Sequence, residues 1–467
     1  MRRVVESFVK KHQLLHKGAT VLIGVSGGPD SMALLHLLKA LEETWQLRLV
    51  ALSVDHGLRG EQSKQDVAYV REVCQKWHIE FNETSVDVHT YKGKEGKGTQ
   101  LAARELRYDY FQKQMEVWDA DYLALGHHGD DQVETVLMRL AQRADPASLT
   151  GIPMKRPFAG GWIIRPFLCV DKEDIETYCQ RNHIEPRRDP SNEEDVYTRN
   201  YLRIHVLPFL KRINPSVSDT IHKLTERVAQ DDQYMNGEAK KVVSKTAFFE
   251  KEPLCCTVYI EKMREFPIAL QRSAYHLILN YLYRSVPKDL SYIQEDQLIK
   301  LMDNKPNKTI HLPNDLVVEK SYDKMIFSFQ SQDKKEQKSY SFHFQIPGEV
   351  FLPNGSMMKG KIVGKAIPEG NDTFVCHLDS ITFPLYIRTR KPGDRMRIKG
   401  LNGSRKLKDI FIDEKIPLAE RDIWPVVTDA KGTVLWLPGL RKSSLERVDD
   451  SLSTEYLQLE YVRNSSM

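Results

Sequence analysis

The chain has 467 residues, about three times a common single domain, so two or three domains with separate cores are expected. Hydrophobic residues make up 41% and charged residues 28%, and no run of twenty apolar residues occurs, so neither a spanning helix nor a membrane partner is expected. A net charge of +4 is too small at this length to mark a polyanionic partner, and the six cysteines (Cys74, Cys169, Cys179, Cys255, Cys256 and Cys376) show no spacing suited to a zinc site, an iron-sulfur cluster or a redox pair.

Along the chain, the basic residues of Met1–Lys11 are interrupted by Glu6 and give no signal-peptide core, which points to a cytoplasmic protein. Residues 4–15 read as an amphipathic helix and 19–25 as a buried strand of β-branched residues. A glycine turn, a strong helix over 31–41 and a second strand over 47–55 complete a βαβ unit. Helical patterns near 65–77 and 100–120 flank a strand at 122–126, while 91–98, rich in Lys and Gly, reads as a mobile loop. The alternation fades after Leu168, and Asn214-Pro215 marks a boundary. The expected architecture is an α/β catalytic domain with a doubly wound parallel sheet (1–214), an α-rich middle domain (215–345) and a small α+β C-terminal domain (346–467).

Ser26-Gly27-Gly28-Pro29-Asp30-Ser31 stands between the first strand and its helix, where unpaired amides and the helix dipole favour an anion. Glycine lets the backbone approach phosphate oxygens, Ser26 and Ser31 add hydroxyls, and Asp30 can hold Mg²⁺ or order the loop. Gly-Gly alone would be better explained by an ordinary capped turn. Asp55 and His56 end the second strand, near a nucleoside or simply capping a turn. Arg104, Arg107 and Tyr108 fall within one helical turn, suited to phosphate oxygens or solvent. After the strand at 122–126, Gly126, His127 and His128 lead into Asp131 and Glu134, three apart on one helix face. That pair could bind Mg²⁺, receive an ammonium group or cap the helix. Arg388, Arg390, Lys391, Arg395, Arg397, Lys399, Arg405, Lys406 and Lys408, against the single Asp394, favour phosphate binding over a merely solvated face.

Ser-Gly-Gly-x-Asp-Ser at a strand end resembles the loop of the PP-loop ATP pyrophosphatase superfamily. Followed in order by Val54-Asp-His-Gly-Leu-Arg, Ala103-Arg-x-x-Arg-Tyr and Gly126-His-His-x-Asp-Asp-Gln-x-Glu-Thr, it is similar to the tRNA(Ile)-lysidine synthase family. Ile164-Arg-Pro-Phe-Leu, Asp189-Pro-Ser-Asn, Tyr197-Thr-Arg-Asn-Tyr-Leu-Arg, Arg388-Thr-Arg-Lys-Pro-Gly-Asp-Arg and Trp436-Leu-Pro-Gly-Leu-Arg continue the resemblance over most of the chain. One departure is 142–151, where Gln-Arg-Ala-Asp-Pro-Ala-Ser-Leu-Thr-Gly replaces the expected Arg-Gly-Ser/Thr-Gly run.

The resemblance implies a ligase that adenylates the wobble cytidine of tRNA(Ile), anticodon CAU, and replaces AMP with L-lysine, moving codon reading from AUG to AUA. It implies ATP as substrate and Mg²⁺, with Asp30 and Asp131 as metal ligands. ATP is expected on Ser26 to Ser31, Asp55, His56, Gly126 and His127. Asp30, Arg104, Arg107, Asp131 and Glu134 are expected to carry the chemistry, with lysine on Asp131 and Glu134. Arg199, Arg203, Arg388, Arg390, Arg395, Arg397 and Lys406 are expected on the tRNA, and a homodimer is an admissible assembly. The competing readings are a tRNA thiolase of the same superfamily, which would call for paired cysteines, and a non-catalytic tRNA-binding protein, which would have lost the loop.

Overall fold

The computed structural model describes residues 1–58, 60–96, 98–142, 145–188, 198–284, 287, 292–330, 339–365, 369–401, 403–447 and 455–463. The Asp189-Pro-Ser-Asn motif, Tyr197, Lys97 and residues 143 and 144 of the departing loop lie outside these. The chain divides into two compact units, Met1–Met235 and Asn236–Met467.

The first unit is built on a six-stranded sheet. Helix α1 (Arg2–Lys11) precedes β1 (Thr20–Gly24), α2 (Pro29–Trp45), β2 (Arg48–Asp55), α3 (Glu61–Lys76), β3 (Glu80–Ser85), α4 (Val88–Glu95), α5 (Thr99–Val117) and β4 (Tyr122–Ala124). Then come α6 (Gly129–Gln142), the hairpin β5 (Lys155–Phe158) and β6 (Gly161–Ile164), and helices α7 (Lys172–Arg181), α8 (Thr198–Tyr201), α9 (Leu207–Ile213) and α10 (Val217–Thr246). The strand order is β3-β2-β1-β4-β6-β5, parallel except for β5 at the edge. Two apolar clusters cover the sheet: one gathers Val21, Ile23, Leu34 and Phe167, the other Leu22, Leu52, Phe111 and Leu123. Adjacent residues of β1 thus serve opposite faces, which is why this strand reads as a continuous apolar run. Helix α2 starts where the sequence places it because Gly28 and Pro29 set its first turn, and it stops at Gln46 in the left-handed conformation (φ 54°).

The stretch read as a mobile loop at 91–98 is instead helical as far as Glu95. Asp87 accepts a hydrogen bond from Thr90 N at 3.0 Å, and Gly96 closes the helix with φ 63°, so the caps at both ends define a helix whose interior shows no apolar face. Helix α1 ends at Lys11, four residues earlier than its pattern suggests.

In the second unit the helices expected after 215 are accompanied by a sheet. Strands β7 (Ala247–Lys251), β8 (Leu254–Tyr259), β9 (Lys308–His311), β10 (Leu316–Ser321) and β11 (Lys324–Phe329) form an antiparallel array ordered β7-β8-β11-β10-β9. It shares a core with α11 (Ile260–Arg264), α12 (Ile268–Tyr283) and α13 (Tyr292–Asp303), where Tyr275, Ile278, Leu298 and Phe327 are buried. Residues 341–462 build two further antiparallel sheets around Phe344, Phe374, Trp436 and Leu457. A separate two-stranded hairpin pairs Arg395–Met396 with Arg405–Lys406.

Candidate active site

Strand β1 pairs with β2 on one side and β4 on the other, and β6 lies beyond β4. The segments leaving the carboxyl ends of these parallel strands, Val25–Gly28, Asp55–His56, Leu125–His128 and Arg165, therefore emerge along one edge, where open α/β sheets take their ligands.

The loop after β1 is shaped by Gly27, whose φ of 85° disfavours any side chain, and is tied by Ser31. Ser31 Oγ donates to Gly28 O at 3.0 Å and accepts from Ser26 N at 3.1 Å. The first amides of α2 have no intrahelical acceptors and face this loop as an anion cradle. A Cβ on Gly126 would stand 3.1 Å from the carbonyl carbon and oxygen of Asp30, so only glycine lets the end of β4 lie against the start of α2.

Asp30 Oδ1 accepts a hydrogen bond from Lys172 Nζ at 2.6 Å. His128 Nε2 stands 3.8 Å from that same oxygen and 3.6 Å from Asp131 Oδ2, so one imidazole separates the two aspartates. Asp55 is turned to local use, its Oδ1 accepting from Gly57 N at 2.8 Å. His56 and His127 each keep a buried Nδ1 with no hydrogen-bond partner. Burial holds both imidazoles below their ordinary pKa, and His127 is pushed down to about 3, chiefly by burial, against the opposing pull of Asp131 and with smaller help from Arg165, Arg199 and Arg104. Both rings are neutral at physiological pH.

Several of the expected site residues are engaged in ion pairs within the chain. Asp131 and Glu134 do share a face, but they are closed by the arginines assigned to tRNA. Arg199 donates to Glu134 at 2.7 Å and Asp131 at 3.2 Å, and Arg203 donates to the same two carboxylates at 2.7 Å and 3.3 Å. Glu134 is fully buried, so neither an open grip for lysine nor a free pair of arginines exists in this state. Asp131 accepts a further hydrogen bond at its other oxygen, from His128 N at 3.0 Å. In the second unit Arg388 is buried and bidentate to Asp394 at 2.7 and 2.9 Å, so its guanidinium fastens the chain. Arg390 is paired with Asp422, Arg395 with Ser404, and Arg397 and Lys406 are exposed.

Arg156 and Arg165, not singled out by sequence, join Arg104 and Tyr108 at the site. Around Tyr108 stand Arg104, 4.9 Å from the ring centre, Arg156 at 5.6 Å, and Arg165, which is almost fully buried with Nε unpartnered. Burial pushes Arg165 down to about 10 and lowers Arg107 also. For Tyr108, burial acts upward, yet Arg104, Arg165 and Arg156 outweigh it and hold the phenol below its ordinary value. Among the described residues none of Arg104, Arg107, Arg156 and Arg165 is paired with a carboxylate. Partly dehydrated cations without counterions are costly, and such a cluster is stabilised by an anion brought from outside. Arg165 had a readable signal, a charged residue ending an apolar strand at the ligand edge; Lys172 had none.

A cradle at a strand-to-helix turn, at the topological switch of a parallel sheet, defines a PP-loop type of nucleotide-binding domain, and the model of the PP-loop domain family matches residues 1–210. The TilS substrate C-terminal domain family matches 385–456. The tRNA(Ile)-lysidine synthase of Oceanobacillus iheyensis is 43% identical over 95% of both chains, that of Geobacillus kaustophilus 41% over 98% of both, and that of Bacillus subtilis 40% over 99% of both. A solved TilS C-terminal domain is 44% identical over 27% of this chain and all of its own, with a TM-score of 0.26. The chain belongs to the tRNA(Ile)-lysidine synthase family.

Proposed function

We infer that this protein uses ATP to adenylate the C2 oxygen of the wobble cytidine of tRNA(Ile) and then couples L-lysine at C2, forming lysidine. The observation that carries this reading is the Ser26–Ser31 cradle on the sheet edge that also carries Arg165, with Arg104 and Arg156 set around Tyr108 and none of these arginines paired with a carboxylate among the described residues. A triphosphate and an RNA backbone together provide the charge that such a site needs.

In the first step the C2 oxygen bonds to the α-phosphorus, the bond from that phosphorus to the bridging oxygen breaks, and pyrophosphate leaves into the cradle. Arg104 and Arg107, with Arg156 and Arg165 behind them, offset the developing charge. In the second step the neutral ε-amine forms a C–N bond at C2, the C2–O bond breaks, and AMP departs. Asp131 is the group to accept the proton the amine loses, and a substrate ammonium reaches it by replacing one guanidinium partner. Mg²⁺ fits Asp30, which is about a third exposed and spends one oxygen on Lys172, and when bound it would neutralise phosphate charge. Residues 1–214 would carry this chemistry, with 215–345 positioning the tRNA and the exposed basic residues of 346–467 contacting its backbone.

A thiolase reading is disfavoured by thiol chemistry. Burial pushes Cys74, Cys169, Cys256 and Cys376 up to about 12 and Cys179 to about 11, and raises Cys255 as well, so the fold favours the thiol over the thiolate at all six. Incubation with tRNA(Ile), ATP and labelled lysine tests the proposal. Label retained on the tRNA through alkaline deacylation is expected; label lost under alkali would mean aminoacylation and refute it.

A further inference from the structure

Away from the sheet edge, α1 and the first turns of α10 enclose a cavity of about 690 Å³. On one wall His12 caps α1, and on the other His222 and Glu226 lie four apart on one face of α10. One donor atom from each of the three lies within 4.8 Å of the other two, and His12 Nδ1 is 4.0 Å from Glu226 Oε1. His222 is about nine-tenths buried, and its Nδ1, like Nε2 of His12, has no hydrogen-bond partner. Buried imidazole nitrogens are ordinarily paired, so two orphans in one cluster beside a carboxylate call for something to bind.

We propose that His12, His222 and Glu226 form a binding site for a divalent transition-metal ion of the zinc class, separate from the nucleotide site, clamping α10 to α1. Two neutral imidazoles and one carboxylate are a donor set that zinc takes up, with water from the cavity in the fourth position. Burial lowers the pKa of both histidines, which favours the neutral form that ligates a metal. Bonds of about 2.0–2.1 Å bring tetrahedral donors to roughly 3.3 Å apart, so the side chains must close in by about an ångström. The groups that must yield are mobile. Glu226 is about a quarter exposed, and Lys11, 3.6 Å from it, is two-thirds exposed and can swing into solvent.

The full-length protein, stripped of metal with a chelator, is titrated with Co²⁺ and with Zn²⁺, following visible absorption and the melting temperature. The expected result is one tight equivalent, with the strong absorption of tetrahedral Co²⁺ bleached by Zn²⁺ and a raised melting temperature. Glu226→Gln, nearly isosteric and folded by circular dichroism, should weaken binding at least tenfold, and His222→Ala should abolish it. Cys169→Ser, which changes a thiol lining the same cavity, should leave binding unchanged. No Co²⁺ spectrum in the unaltered protein, or equal binding in Glu226→Gln, would overturn the proposal, as would loss of binding in Cys169→Ser.

Discussion

Asp30 stands where the cradle, Lys172 and His128 meet, and it is the side chain whose removal should separate chemistry from binding. Asp30→Ala is expected to lower tRNA-dependent pyrophosphate release by about 100-fold or more while tRNA affinity, measured by filter binding, changes little. Gly126→Ala tests the same spot from the other side. Its Cβ would press on the Asp30 carbonyl, so turnover should fall by about tenfold with stability lowered by only about 1–2 kcal/mol in urea. His127 gives a pH signature. Between its folded value of about 3 and its ordinary 6.5, the unfolded chain takes up a proton that the folded protein refuses. Its share of stability is therefore full above about 6.5 and lost on acidification. Urea midpoints should drop between about pH 7 and pH 5, and drop less in His127→Gln.

At the scale of elements, the cluster joining α6 to Arg199 and Arg203 is an inward-facing ionic lock. Glu134→Gln leaves two guanidinium groups sharing one carboxylate and should cost about 3 kcal/mol or more, whereas adding Arg203→Gln to it should cost less than the sum of the two single changes. This cluster also shows where sequence reading stops. Asp131 and Glu134 were recognisable by their spacing and Arg199 and Arg203 by their motif, yet nothing in a linear pattern says that residues some 65 positions apart neutralise one another. The strand-end motifs were legible because phosphate binding at a strand-to-helix turn is a local geometry, set by Gly27, Gly28 and Ser31 within six residues. Helix α4 was missed because its signal lies in its caps, Asp87 and Gly96, while its interior has no periodic apolar face. Strands β7 and β8 were missed because they are short and edged by helices of strong amphipathic pattern.

For the whole molecule, the basic residues of the second unit fall into two kinds. Arg395 and Arg397 are exposed, and replacing both by Gln should reduce the slope of log affinity for tRNA against log salt by about two. Arg388→Gln should instead destabilise the C-terminal part and leave that slope unaltered in whatever fraction stays folded, because its guanidinium is spent on Asp394. The central claim is that ATP activates the nucleic acid before lysine arrives. Its most direct test is incubation of the protein with tRNA(Ile) and ATP labelled at the α-phosphate, with lysine withheld. Label should appear on the tRNA in step with pyrophosphate release and be discharged as AMP when lysine is added. Release of ADP and orthophosphate, or transfer of label to lysine in the absence of tRNA, would contradict it.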